Sequence, residues 1–192
     1  DLRLPGAHGV IGDRALSEDP AEVARLGRAW IAGLHAGGAQ SVIKHIPGHG
    51  RARADSHLEL PRVDASRAEL AADIAPFRAV AGEAGWAMTA HILYAALDPD
   101  RPATLSPTVI EGVIRQEIGF DGVLISDDLA MKALSGGLAD LARASIGAGC
   151  DVVLHCTGLF ADAAALLPAC PPLSDRAAAR LARARALARS GA

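Results

Sequence analysis

Apolar residues gather in short runs at residues 40–45, 86–92, 122–126 and 151–156. Each run has the length of a buried strand and is too short for an amphipathic helix. Between the runs, apolar positions recur at helical spacing over residues 20–35, 67–84, 107–118 and 138–148, and an Ala/Arg-rich stretch over 174–190 predicts a last helix. Boundary signals agree with these spans: Glu18-Asp19 precedes the first helix, Ser106 stands at an N-cap position, and Gly119 and Gly149 follow helix ends. With Ile43, Met88, Ile125 and Val153 as strand centres, the separations are 45, 37 and 28 residues. Such lengths suit strand-loop-helix-loop units and therefore parallel strands, which makes the class α/β.

Residues 123–125 and 152–154 are continuously apolar, as in strands covered on both faces of a doubly wound sheet or a (β/α)8 barrel. Trp86 and Met88 read as core on the same ground. A barrel takes about 250 residues and rarely fewer than about 200. Four clear strands are visible in 192 residues, so a barrel reading places part of the barrel outside this sequence.

Composition narrows the function classes. The chain is 51% hydrophobic and 21% charged, with a formal net charge of −3, which suits one globular domain over residues 1–192 rather than disorder. A slightly acidic charge and only 3% aromatic residues argue against a nucleic-acid partner, which calls for a basic stripe or a stacking platform. Cys150, Cys156 and Cys170 are odd in number and lack C-x-x-C spacing, so neither a disulfide framework nor a structural zinc site is expected. There is no run of eighteen apolar residues and no signal-like start, so no membrane partner is expected, although the chain begins with Asp rather than Met.

Polar groups crowd where the predicted strands end. Lys44, His45, His49, Asp55 and His57 fall within fourteen residues, Thr89-Ala90-His91 ends the second run, and Ser126-Asp127-Asp128 ends the third. In parallel α/β folds the carboxyl ends of strands share one face, so these groups can converge. Asp55 and His57, two apart, can share one side of an extended loop, where a carboxylate holding one ring nitrogen leaves the other to give or take a proton. A loop histidine beside a solvated aspartate is the alternative. Asp127 reads as a nucleophilic carboxylate, and Asp128 equally as the cap of a following helix. Lys44 and His45 can donate to substrate hydroxyls or form a buried ion pair with Asp127. A metal-dependent hydrolase using His45, His49, His57, His91 and Asp127 is a further reading.

The segment Lys44-His45-Ile46-Pro47-Gly48-His49-Gly50, followed by Asp55-Ser56-His57 and by Ser126-Asp127-Asp128, closely resembles glycoside hydrolase family 3, and more narrowly its bacterial β-N-acetylglucosaminidases. Ile11-Gly12-Asp13-Arg14, Met88-Thr89-Ala90-His91-Ile92 and Pro102-Ala103-Thr104-Leu105-Ser106 extend the likeness from Asp1 to about Gly158. The resemblance implies a (β/α)8 barrel and a retaining exo-β-N-acetylglucosaminidase that removes terminal N-acetylglucosamine from cell-wall muropeptides, in the cytoplasm, as a monomer and with no cofactor or metal. It implies Asp127 as nucleophile, His57 as general acid/base oriented by Asp55, and Arg14, Lys44 and His45 as sugar-binding residues. His91 receives no catalytic step, and His49 is expected to shape the glycine turn. The resemblance also places roughly a third of the catalytic domain before Asp1. With that segment would go the first strands and an acidic residue that grips sugar hydroxyls, which leaves unpaired strand edges and, as a further alternative, a non-catalytic sugar-binding fragment.

Overall fold

A computed structural model describes residues 1–189, with the side chains of residues 188 and 189 outside the description. In chain order the main elements are α1 (Pro20–Ala36), β1 (Val42–Ile46), β2 (Arg62–Val63), α2 (Arg67–Val80), β3 (Trp86–Thr89) and β4 (Leu93–Tyr94). A π-helix (Thr108–Glu117), β5 (Val123–Asp128), α3 (Leu138–Ala148), β6 (Val152–Leu154), α4 (Phe160–Leu166) and α5 (Asp175–Arg189) follow. Ser190, the end of the last predicted helix, lies outside the described residues.

Every pairing in the main sheet is parallel, and its strand order, β1-β3-β5-β6, follows the order of the chain. A doubly wound sheet would reverse direction at a switch point. This sheet only advances, so each unit sets its strand beside the previous one, as in an arc of a (β/α)8 barrel. A second, two-stranded parallel pair joins β2 to β4.

The helices start where local chemistry directs. Asp19 accepts from the Ala21 N–H with Pro20 in the first turn of α1, and Ser66 with Glu69 forms a complete capping box on α2. Register sets Ile43, Ala87 and Leu124 side by side, and this face of the sheet packs with Leu70, Ile74 and Phe77 of α2 and Ile110 and Ile114 of the π-helix. Each such buried side chain contributes about 1.5–3 kcal/mol. Trp86, Met88 and Ile125 occupy the other face and are only half buried. The core reading of Trp86 and Met88 is therefore corrected to half-buried positions, although Val123, which pairs with Trp86, is fully buried.

Several boundaries also shift. The strand predicted over 86–92 stops at Thr89 because the Ala90 N–H turns to the Ile46 carbonyl, and Leu93–Tyr94 then pairs elsewhere. The helix predicted over 67–84 stops at Val80, whose carbonyl takes the N–H groups of both Glu83 and Ala84. The helix predicted over 107–118 is a π-helix, with Ile118 N–H on the Val113 carbonyl. Ser106 Oγ does accept from the Val109 N–H, and Gly119 takes a positive φ of 76° beyond the end.

Candidate functional site

The parallel sheet brings the carboxyl ends of β1, β3 and β5 to one edge, where the strand ends become polar. β5 runs longer than the predicted 122–126 and includes Asp127 and Asp128. Two cross-strand bonds hold this extension to β6: Ser126 Oγ accepts from the Leu154 N–H at 2.9 Å, and Leu129 N–H donates to the Leu154 carbonyl at 3.0 Å. Asp128 does not cap a helix. Its Oδ1 accepts from the N–H groups of Ala130 and Cys156, tying the turn after β5 to the end of β6. Asp127 Oδ1 accepts from the Asp128 N–H, and its Oδ2 lies 3.9 Å from His45 Nε2.

His45 is nearly enclosed. Its Nδ1 lies 2.8 Å from Asp1 Oδ2, and the Asp1 carboxylate also accepts from the backbone N–H groups of His45 and His49. Burial, followed in order by the opposing field of Asp127 and the charges of Lys44 and Arg14, leaves the His45 imidazole well below its usual pKa. In the neutral ring Nδ1–H donates to Asp1, so the Nε2 lone pair is on the side of the Asp127 carboxylate. His49 packs edge-on to His45 with ring centroids 5.3 Å apart. Its pKa is lowered to about 4, chiefly by burial and next by His45. Gly48 allows the turn through a φ of +143°, whereas Gly50 has no room for a Cβ, which would come within 2.7 Å of the Leu2 carbonyl oxygen.

Asp55 and His57 form the expected pair. Asp55 Oδ1 accepts from the His57 N–H at 2.9 Å and from Nδ1 at 2.7 Å, and these two bonds hold the Asp55 carboxyl below its usual pKa. His57 Nε2 is left for other partners on a side chain that is 60% exposed. No hydrogen bond or ion pair joins His57 to Asp127 among the described residues. Their two segments nevertheless meet, because Ala133 N–H, beyond β5, donates to the carbonyl of buried Ser56 at 3.2 Å.

Arg14 and Lys44 are exposed and line one cleft with Asp1, floored by Ile43 and Phe77, with a volume of about 550 Å³. Arg14 bonds back to the carbonyls of Val10 and Ile11. Asp127 is met by His45, at 3.9 Å, and no ion pair joins it to Lys44 among the described residues.

Asp1 and Asp73 escaped the sequence reading, and His91, given no catalytic step there, has a bracing role. Asp1 carried no signal at the first position. His91 is fully buried, with Nε2 on the Asp128 carbonyl and Nδ1 2.7 Å from Thr104 Oγ1, so it braces the turn beyond Asp127. Asp73, buried in α2, receives Arg51 Nε at 2.6 Å and thereby anchors the loop after β1. The five groups of the metal reading do not gather: among the described residues no three His, Cys, Asp or Glu side chains form a metal-holding group. The cysteines are all free thiols, and no helix is long and apolar enough to cross a membrane among the described residues.

An advancing parallel α/β sheet with an acidic strand end, a buried histidine against it and a second His-Asp pair on an adjoining loop defines a βα-barrel type of domain with a polar site at its carboxyl edge. The glycosyl hydrolase family 3 N-terminal domain matches residues 3–175, and the chain belongs to that family. A β-hexosaminidase of Alkalilimnicola ehrlichii is 47% identical over 182 residues, covering 92% of this chain and 52% of the relative. Among solved structures, a family 3 β-N-acetylglucosaminidase from Paenibacillus sp. superposes with a TM-score of 0.86 at 37% identity, covering 100% of this chain and 39% of that one. NagZ from Neisseria gonorrhoeae, in complex with N-trifluoroacetyl-D-glucosamine, gives 0.85 at 38% identity, covering 99% and 57%. The chain spans about half the length of the curated relatives it matches.

Proposed function

We propose that this chain carries the catalytic residues of a retaining exo-β-N-acetylglucosaminidase acting on peptidoglycan fragments in the cytoplasm, within one catalytic domain and without metal or organic cofactor. The observation that carries this reading is the Asp127 carboxylate at the end of β5, half enclosed and faced at 3.9 Å by a histidine that Asp1 holds in place. Asp127 attacks the anomeric carbon of a bound N-acetylglucosamine, and the bond to the leaving oxygen breaks as the glycosyl-aspartate forms. His57, with Nδ1–H held by Asp55, protonates that oxygen from Nε2. The neutral ring then takes a proton from the water that hydrolyses the intermediate, which gives net retention. His45 accepts from a sugar hydroxyl, and Lys44 and Arg14 supply donors to the same sugar. The relatives named β-hexosaminidase support this reaction class.

The test is release of chromophore from an aryl N-acetyl-β-D-glucosaminide by the purified chain and by Asp127→Ala. Activity in the parent and its loss in the variant is the expected outcome, and parent-level activity in Asp127→Ala would overturn the nucleophile assignment. His57→Ala is expected to slow natural substrates more than aryl glycosides with good leaving groups, because those need little protonation. Equal losses would remove the acid role. A second reading, a non-catalytic sugar-binding unit, predicts saturable N-acetylglucosamine binding without turnover, and His57, which makes no bond to Asp127 among the described residues, is compatible with it.

A further inference from the structure

Behind the carboxyl edge of the sheet, three buried side chains form one hydrogen-bonded line that ends on the residue after Asp127. Thr89 closes β3, His91 follows it by two residues, and Thr104 sits in the short helical turn Ala103–Leu105. All three are buried. Thr89 Oγ1 lies 2.8 Å from Thr104 Oγ1, Thr104 Oγ1 lies 2.7 Å from His91 Nδ1, and His91 Nε2 lies 3.1 Å from the Asp128 carbonyl oxygen. The far end sets the direction of the protons. A carbonyl only accepts, so Nε2 carries a hydrogen. Burial, against the raising fields of Asp127 and Asp128, holds the ring below its usual pKa, and in the neutral ring Nδ1 must accept. Thr104 has one proton for two acceptors, Nδ1 at 2.7 Å and the Ala90 carbonyl at 3.1 Å, and the shorter contact takes it. Thr89 Oγ–H then donates to Thr104 Oγ1.

Asp128 joins this line to Asp127. Its carbonyl accepts from His91 Nε2–H and from Met131 N–H at 3.1 Å, and its own N–H donates to Asp127 Oδ1 at 2.8 Å. The backbone of one residue thus receives the imidazole on one side and holds the carboxylate on the other. With Oδ1 held, Oδ2 is the oxygen on the side of His45. We infer that His91 is a positioning residue for Asp127, acting through the Asp128 backbone to keep the carboxylate turned so that Oδ2 meets the anomeric carbon. This role rests on the glycosidase reading for the step it serves. Apolar side chains at 89, 91 and 104 would fill the same space with no polar atoms to desolvate. The polar line ends instead on the residue whose N–H holds the nucleophile. Thr104 fixes the tautomer, as an outer partner fixes a working imidazole elsewhere.

The experiment compares the parent chain with His91→Leu, which keeps bulk and removes the donor, and His91→Gln, which returns an amide N–H near the place of Nε2. Two aryl N-acetyl-β-D-glucosaminides with unlike leaving groups are turned over. In His91→Leu kcat is expected to fall about tenfold with KM unchanged, the worth of one hydrogen bond made in the transition state. The fall is the same for both leaving groups, unlike that of His57→Ala, and His91→Gln recovers most of it. Nitrogen-15 NMR of the parent is expected to show a neutral His91 ring protonated at Nε2, and an Asp128 amide resonance that moves in His91→Leu and returns in His91→Gln. Parent kcat in a folded His91→Leu chain, a loss that His91→Gln does not recover, or a ring protonated at Nδ1 overturns the role. If His91→Leu does not fold, Thr104→Val replaces it with the same two readouts, and an unmoved kcat and Asp128 amide there overturn the role. A parent chain without turnover counts against the glycosidase reading, and the His91 tautomer and the Asp128 amide then decide alone whether His91 holds Asp127.

Discussion

His49 is 4% exposed, and burial lowers its pKa from 6.5 to about 4. The unfolded chain therefore binds more protons than the folded one between those values, and stability falls as pH drops through that window. His45 and His91 are lowered for the same first reason and add in the same direction. Urea unfolding from pH 7 to pH 4 is expected to show this loss, with His49→Asn removing up to about 3 kcal/mol of it. An unchanged slope in the variant would show that His49 does not titrate as its burial implies. At this scale the Asp55–His57 pair was readable because its two members stand two apart in one short string. Asp1 and Asp73 were not, because an aspartate at the start of a chain or in a helix has no local mark of what lies opposite.

The turn after β1 concentrates the constraints of a single element. Gly48 adopts a φ of +143°, and a Cβ there would sit 2.8 Å from Asp73 Cβ. Its carbonyl accepts from buried Tyr94 Oη at 2.8 Å. Gly48→Ala must displace either the turn or α2, and overpacking of this kind costs about 1–3 kcal/mol, measurable as a lower urea midpoint at unchanged slope. A midpoint equal to the parent would mean that the turn relaxes freely. The elements themselves were largely visible from apolar runs and caps such as Ser66 with Glu69. Their ends were not. β3 stops at Thr89 and β5 continues to Asp128 because of bonds to Ile46 and Leu154, partners 44 and 25 to 28 residues away.

Across the whole molecule, the amino ends of the strands are tied by charge. Asp151, just before β6, accepts from Arg115, Arg180 and the Leu124 N–H. Arg180 and Arg183 of α5 also hold Asp121. This network fastens α5 beneath β5 and β6, and Gln40 Nε2 reaches the Ala184 carbonyl from the β1 side. Asp151→Ala leaves two guanidiniums, each 8% exposed, without that partner, and is expected to cost about 3–5 kcal/mol. Faster amide exchange throughout α5 should accompany the loss in urea unfolding, and exchange at the parent rate would mean that apolar packing alone holds the helix.

By itself the amino-acid sequence determined the α/β class, the order of the main strands and helices, the family likeness and the candidates for chemistry, since periodicity and short motifs are local properties. Only the tertiary structure decided that the sheet advances as an arc, that His45 rather than Lys44 meets Asp127, and that Asp1, His91 and Asp73 make the contacts around them. Those outcomes depend on strand register and on contacts between residues far apart in sequence, and no window of neighbouring positions contains that information.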